Sequence, residues 1–369
     1  LRCLQEHGRV PAVRLTRIRR QKDPGYREAV SLLARGDAFG AFKRFVQLGA
    51  VQEIKNPQTL FRTAADDYVR TIATGTTCLA ISPVWSEIHA FTAEVRDKLK
   101  AGGLLGANDR IIAVVHSLQW TREQMRRVDH YQAGDVLRFH RSAAGFGKNE
   151  QAVVVKRAEN LLVVRAADGT ERNLDPRRVG GFDVGLGKEL PVATGDRLLI
   201  RANSKAEKLR NGDVVTIDGF AADGAIVLTD GRRVPAGFCQ FSHGYATTSH
   251  SSQGKTVARG LLLMADAGLR AANLKQAYVS NSRFQESQMI YTTDKRAARA
   301  AIQRPAHRKL ASEIFVRQPS ASVSFRQMLL HRINQVGAAH PALAALRGCW
   351  DTFATLTARM RFGENRRNP

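Results

Sequence analysis

The side chains best equipped for chemistry lie in Tyr245-Ala-Thr-Thr-Ser-His-Ser-Ser-Gln-Gly-Lys-Thr256, a strand-like run leading into a second apolar strand, Val257 to Met264. The closing Gly254, Lys255 and Thr256 invite a phosphate-loop reading, and their spacing excludes it. A phosphate loop needs Gly, four residues, then Gly-Lys-Ser/Thr, so that backbone amides curl around the phosphates. The first Gly would fall at position 249, which is Ser249. What remains is a polar set at a strand end: Thr247, Thr248, Ser249, His250 and Gln253. Ligands of open α/β sheets bind at the carboxyl ends of strands. Hydroxyls, an amide and an imidazole there suit hydrogen bonds to a sugar-phosphate backbone, which position a strand without reading its sequence. The same Ser/Thr cluster also suits the opening cap of a helix.

Two further segments carry guanidinium groups. Leu15-Thr-Arg-Ile-Arg-Arg-Gln21 is crowded with arginine, a permanently charged forked donor that matches phosphate oxygens. A solvated basic face would have the same composition. In Gln276-Ala-Tyr-Val-Ser-Asn-Ser-Arg-Phe284, Arg283 follows a helix-compatible run and precedes a strand, Gln288 to Thr292. An arginine there can answer the helix dipole or stabilise charge on a transferring phosphoryl group. No histidine set has metal-ligand spacing: His243 and His250 are seven residues apart, His331 and His340 nine. Gly145-Phe-Gly-Lys-Asn149 lacks the spaced Gly and the Ser/Thr that would hold magnesium.

Positioning these groups takes a sizeable fold, and 369 residues allow two or three domains. A net charge of +24 marks a polyanion as partner, nucleic acid first among them. Cys3, Cys78, Cys239 and Cys349 form no CxxC pair, which points to a reducing cytoplasm rather than a disulfide or zinc framework. No apolar run approaches the roughly 18 residues of a membrane span, and no signal peptide is visible. The chain starts at Leu1, so it is expected to be a piece of something longer.

Residues 1–132 read as alternating helix and strand. Asp23-Pro24 opens one helix, ended by Gly36. Asp37 caps a second with Phe39, Phe42, Phe45 and Val46 on one face. A third helix is expected over Leu60 to Ala73, then a buried strand at Cys78 to Ile81. A long helix follows to about Lys100, with Pro83 in its first turn. From Gly134 to Phe241 short β-branched runs alternate with turns. A weak repeat of offset 61 sits here: Gly134-Asp-Val-Leu-Arg-Phe139 with Gly195-Asp-Arg-Leu-Leu-Ile200, and Val153-Val-Val155 with Val214-Val-Thr216; an apolar run before Asp168-Gly169 likewise matches one before Asp230-Gly231. Each unit reads as a small antiparallel barrel with a DG hairpin. From Tyr245 to about Lys295 the α/β pattern resumes. Residues 296–369 read as helical and basic, with only Glu313, Asp351 and Glu364 as acids.

Taken in order, the three segments resemble the late motifs of superfamily 1 helicases: motif IV at Ile18-Arg-Arg-Gln21, motif V at Tyr245 to Thr256 and motif VI at Tyr278 to Arg283. The form of motif V is similar to the RecD-like branch, especially the helicase part of MobF-type conjugative relaxases. RRQKDPGYREAV, SPVWSEIHAFTAEVRDKLK and RANSKAEKLRNGDVVTI resemble that family too, over about residues 9 to 295. The resemblance implies an α/β chain in four parts. A RecA-like second helicase domain spans 1–132 and 242–295, an SH3-like β insertion fills 133–241, and a basic helical tail covers 296–369. It implies that Arg20, less so Arg19, and Arg283 point at the γ-phosphate of ATP, with Gln21 and Gly254 beside the nucleotide. Thr247, Thr248, His250, Gln253 and Lys255 would lie near single-stranded DNA. Asn203 joins them in the family's N…NG stretch with Asn211 and Gly212, read here as a turn and loop.

The Walker A and Walker B segments of a first RecA-like domain are missing, as are the tyrosine nucleophile and histidine triad of a relaxase domain. ATP and magnesium are therefore expected only in an intact enzyme, with those domains supplied in cis or in trans. Alone, the chain is expected to bind single-stranded DNA without hydrolysing ATP. The alternative is a non-enzymatic DNA-binding or partner module.

Overall fold

A computed structural model describes residues 19–305. Asp23 caps α1 (Pro24–Ala34), its carboxylate accepting from the Tyr26 N–H at 2.6 Å. Asp37 caps α2 (Ala38–Gln47) through the Gly40 N–H. β1 (Val51–Glu53), α3 (Pro57–Ala73), β2 (Cys78–Ile81) and α4 (Trp85–Ala101) follow. The expected face of α2 holds in part. Phe42 and Phe45 are buried, while Val46 is exposed and the exposed Phe39 lies under the Arg299 guanidinium. Pro83 stands ahead of α4 rather than in its first turn. The Ser82 hydroxyl accepts the Val84 N–H and Val84 stays extended, so the helix begins only at Trp85.

The β-rich segment starts earlier than its composition indicates. β3 (Arg110–Ser117) precedes α5 (Arg122–Met125), then come β4 (Asp135–Phe139), β5 (Gln151–Ala158), β6 (Leu161–Ala166), β7 (Glu171–Leu174) and β8 (Phe182–Val192). They form an antiparallel sheet of order β3-β8-β4-β5-β6-β7. A second antiparallel sheet, β12-β11-β10-β9-β13, uses β9 (Arg197–Ile200), β10 (Val214–Phe220), β11 (Ile226–Leu228), β12 (Arg233–Val234) and β13 (Phe241–His243). The repeat is thus topological. The order β8-β4-β5-β6-β7 in one unit becomes β13-β9-β10-β11-β12 in the other. Each unit opens on a left-handed glycine, Gly134 at φ 94° and Gly195 at φ 89°. At Gly195 a Cβ would also stand 2.5 Å from the Leu104 carbonyl oxygen.

The two units keep separate cores. Leu137, Phe139, Phe146, Leu162, Val164 and Phe182 fill the first. Leu198, Ile200, Val215, Ile217, Ile226 and Phe241 fill the second, with Val114 of β3 and Val192 of β8. The long β3–β8 ribbon therefore bridges them.

After this insertion come β14 (Ala246–Thr247), β15 (Val257–Met264), α6 (Asp266–Ala271), α7 (Leu274–Asn281), β16 (Phe284–Thr292) and α8 (Lys295–Gln303). Strands from both flanks of the insertion share one parallel sheet of order β1-β16-β15-β2-β14. Parallel strands are buried on both faces, and alternate residues serve opposite layers. Leu79, Ile81, Leu262 and Met264 pack against α1, α2, α7 and α8. Cys78, Ala80, Leu261 and Leu263 pack against α3 and α4, where Ile88, Phe91, Val95 and Leu99 recur at helical spacing. Cys78 and Cys239 are buried free thiols. Among the described residues no helix is long and apolar enough to cross a membrane. Most of the expected basic tail, from residue 306 on, lies outside the described residues, as does Ile18 of the arginine-rich run.

A buried polar junction fastens the second β unit to the parallel-sheet core. Asp196, fully enclosed, accepts from Arg96 of α4 at 2.9 Å, from the Tyr245 hydroxyl at 2.7 Å and from the Ala193 N–H at 2.7 Å. Arg96 also reaches Asp109. Burial opposes charge on Arg96, but Asp196 and Asp109 outweigh it and hold the guanidinium pKa above its usual value. Removing one partner of such a pair strands the other without water. Asp196→Ala is expected to cost about 3–5 kcal/mol, read as a lowered urea midpoint, with Asp218→Ala on the exposed side of β10 as a near-neutral control.

Candidate functional site

The chain between Arg19 and Lys22 is laid along the start of β16. The Lys22 N–H donates to the Gln285 carbonyl at 2.7 Å, and Gln21 Nε2 donates to the Phe284 carbonyl at 2.8 Å. Gln21 is 1% exposed, so it serves as this lock and offers no surface to a ligand. The lock delivers Arg20 to the end of α7. There Arg20 Nη1 donates to the Ser282 carbonyl at 2.6 Å, while Arg283 Nη2 donates to the Ser282 hydroxyl at 2.8 Å. Arg283 Nε donates to the Val279 carbonyl at 3.0 Å, so this arginine does answer the helix end. The second guanidinium is what the helix end does not require. Among the described residues neither group forms an ion pair. Burial first, and then the Arg20 charge, pull the Arg283 pKa below its usual value. Two like charges held together over one serine favour an anion between or beside them. Arg19 is exposed next to them.

The end of the Tyr245 to Thr256 segment forms the crossover from β14 to β15, passing over β2. Thr247 closes β14 opposite Ile81 and is 1% exposed, its hydroxyl enclosed without a partner among the described residues. That position gives it no face to a polymer. Thr248 caps a turn: its Oγ1 accepts from the Ser251 N–H, and its carbonyl accepts from the Ser252 N–H at 3.0 Å. The turn does not continue into a helix. Gly254, at φ 86°, ends it in a backbone conformation that glycine adopts without strain. His250 and Gln253 project from the outer side of the crossover, both exposed. Lys255 Nζ donates to the Gly212 carbonyl at 2.6 Å, and burial lowers its pKa. Asn203 Oδ1 accepts from the Asn211 N–H at 2.8 Å and closes the same loop. Lys255 and Asn203 thus meet through one loop of the second β unit.

These groups occupy two ends of the parallel sheet. Thr248 lies at the carboxyl ends of β2 and β14, where the Ser82 N–H donates to the Thr247 carbonyl. Arg20 and Arg283 lie at the amino ends of β15 and β16, where the Val257 N–H donates to the Arg283 carbonyl. The ends are linked through Ser249. Its hydroxyl accepts from Ser280 Oγ of α7 at 2.9 Å, three residues before Arg283. Two residues that no motif singled out stand beside Thr248. Arg201 Nη1 donates to Ser251 Oγ at 3.4 Å, and its guanidinium lies 5.1 Å over the Trp85 ring. The sequence carried one signal for Trp85, an aromatic just after the Ser82-Pro83 that follows an apolar strand. Among the described residues no cluster of His, Cys, Asp and Glu could hold a metal ion.

No protein-family model matches the chain. It is 22% identical over 305 residues to the multifunctional conjugation protein TraI of Escherichia coli strain K12, covering 79% of this chain and 17% of that protein. The chain therefore spans about a sixth of that relative's length. Among solved structures it is similar to a Pif1 helicase from Bacteroides solved with ADP-AlF3 and single-stranded DNA. That match is 14% identical, covers 79% of this chain and 53% of the other, and has a TM-score of 0.30. The Pif1 helicase from Candida albicans matches at 12% identity and a TM-score of 0.26, over 76% and 57% of the two chains. The resemblance to conjugation proteins of the TraI type is borne out by the sequence match.

Because Lys255 is engaged by a carbonyl rather than an amide cradle, Lys255→Ala is expected to leave ATP affinity unchanged. It should lower stability by about 1 kcal/mol, and thermal melts with and without ATP check both outcomes.

Proposed function

We propose that this chain is the second half of the motor of a conjugative DNA helicase. In this reading the parallel-sheet core is a RecA-like second domain, and each five-stranded antiparallel unit is an SH3-like insertion. The core presents Arg20 and Arg283 to the terminal phosphate of ATP cradled by a first RecA-like domain. The observation that carries the proposal is the arginine pair on Ser282, 2.6 and 2.8 Å from its carbonyl and hydroxyl. Guanidinium groups without carboxylates fit a phosphate by donor geometry and by charge. Magnesium ligands and the phosphate cradle would come from the other half. ATP, when bound between the halves, supplies the free energy of hydrolysis.

The remaining steps belong to this chain's own residues. Thr248, His250 and Gln253 sit at the carboxyl ends of the strands, where they would contact the backbone of single-stranded DNA. The crossover that carries them is tied through Ser249 and Ser280 to α7, whose end carries Arg283. A shift of the arginine pair on closing around phosphate would thus be felt at the DNA contacts. Arginine fingers of this kind act by stabilising charge as it develops, at no cost in reorganisation.

Alone, the 369-residue chain should bind single-stranded DNA with an affinity that falls steeply with salt, and should not turn over ATP. Fused behind the nucleotide-binding half of a TraI-type protein, it should restore turnover. Arg283→Ala should then lower kcat by about a thousandfold or more while DNA affinity holds. Robust hydrolysis by the chain alone would overturn the proposal.

A further inference from the structure

The junction of core and β units carries an aromatic and cationic patch that the motor chemistry leaves unused. Trp85 is 36% exposed although it opens a helix of the core. The Arg201 guanidinium lies over its ring at 5.1 Å. His89, one turn along α4, stacks beside it at 5.8 Å and 29°, and His116 of β3 is tilted at 6.1 Å and 35°. Lys188 of β8, paired in register with Val114, is close enough for its charge to depress the pKa of both histidines. Burial, then Lys188, then His89 and Arg201 hold His116 neutral down to about 4. At neutral pH the charge of the patch is therefore that of Arg201 and Lys188. Among the described residues no carboxylate stands near enough to offset Arg201, His89 or His116.

Two enclosed polar atoms here have no partner among the described residues, His116 Nε2 and Gln240 Oε1. Gln240 adjoins the patch, its carbonyl accepting from the Arg201 N–H at 2.8 Å. A seal between domains would be lined with aliphatic side chains and would satisfy its polar atoms. This patch is cationic and partly open.

We propose that Trp85 and Arg201 form a stacking seat for one base of single-stranded DNA, with Lys188 positioned for a neighbouring phosphate. The proposal rests on the single-stranded DNA reading above and adds a base contact to its backbone contacts. A base has a π-face whatever its identity, and both an indole face and a guanidinium plane accept it. The seat adjoins Thr248 through the Arg201–Ser251 bond, so a strand held at motif V would pass over it. Its parts come from α4, the β3–β8 ribbon and the loop after β9. A seated base would therefore hold the β units against the core.

Fluorescence anisotropy with the full chain separates stacking from charge. The probes are a labelled oligothymidylate and an abasic deoxyribose-phosphate strand of equal length. Trp85→Ala should weaken oligothymidylate binding about five- to 150-fold, Trp85→Phe should keep most of it, and neither should alter binding of the abasic strand. Thermal melts of both variants exclude unfolding as the cause, and Arg201→Lys, which keeps the charge and removes the guanidinium plane, offers a second variant with the same expected pattern. Equal loss on both strands, or no loss with Trp85→Ala, would overturn the seat while leaving the DNA reading intact. A wild-type chain that binds neither strand would overturn both.

Discussion

Asp196 carries a charge into a place where water does not follow. It is wholly enclosed, so its carboxylate must find every partner inside the protein: Arg96 from the core helix, Tyr245 from the approach to β14 and the Ala193 amide from its own turn. An enclosed carboxylate tolerates little play, because any partner that drifts leaves an uncompensated charge. The contact fixes the second β unit against α4 and against the approach to β14. Lys255 can then reach the Gly212 carbonyl, and Arg201 can lie over Trp85. Both contacts come from the same β unit that Asp196 fastens.

A division of labour runs along the parallel sheet. One end gathers hydroxyls, imidazoles and an indole at strand termini. The other gathers two guanidiniums over a single serine. Between them runs a nine-residue crossover, residues 248–256, packed on α7 through a pair of serine hydroxyls. Short buried hydrogen bonds of this kind transmit displacement because the packed interior around them deforms little. The motor proposed above needs such an arrangement, with phosphate at one end and a polymer at the other.

Much of this was legible from residue order. Asp23 and Asp37 announced their helices because capping is a local event, settled within three residues. The offset-61 repeat was readable because both units need a left-handed glycine before their first strand. Other features depended on contacts far apart in sequence. β3 has the apolar, β-branched look of a strand in either sheet, and only its pairing with β8 assigns it. β1 is three residues long, too short for any period. Gln21 and Thr247 look like ligand-binding polar residues, yet one is spent on β16 carbonyls and the other lies enclosed beside β2. Arg201 and Trp85 are 116 positions apart, and no spacing rule joins them.

The central claim is that Arg20 and Arg283 face a phosphate held by another domain. The most direct measurement is a structure of this chain joined to a nucleotide-binding half, trapped with a phosphoryl-transfer analogue. The account predicts both guanidiniums within about 2.7–3.2 Å of the analogue's oxygens, with Lys255 still on the Gly212 carbonyl. An analogue cradled by residues 254–256, or an arginine pair turned away from it, would contradict the account.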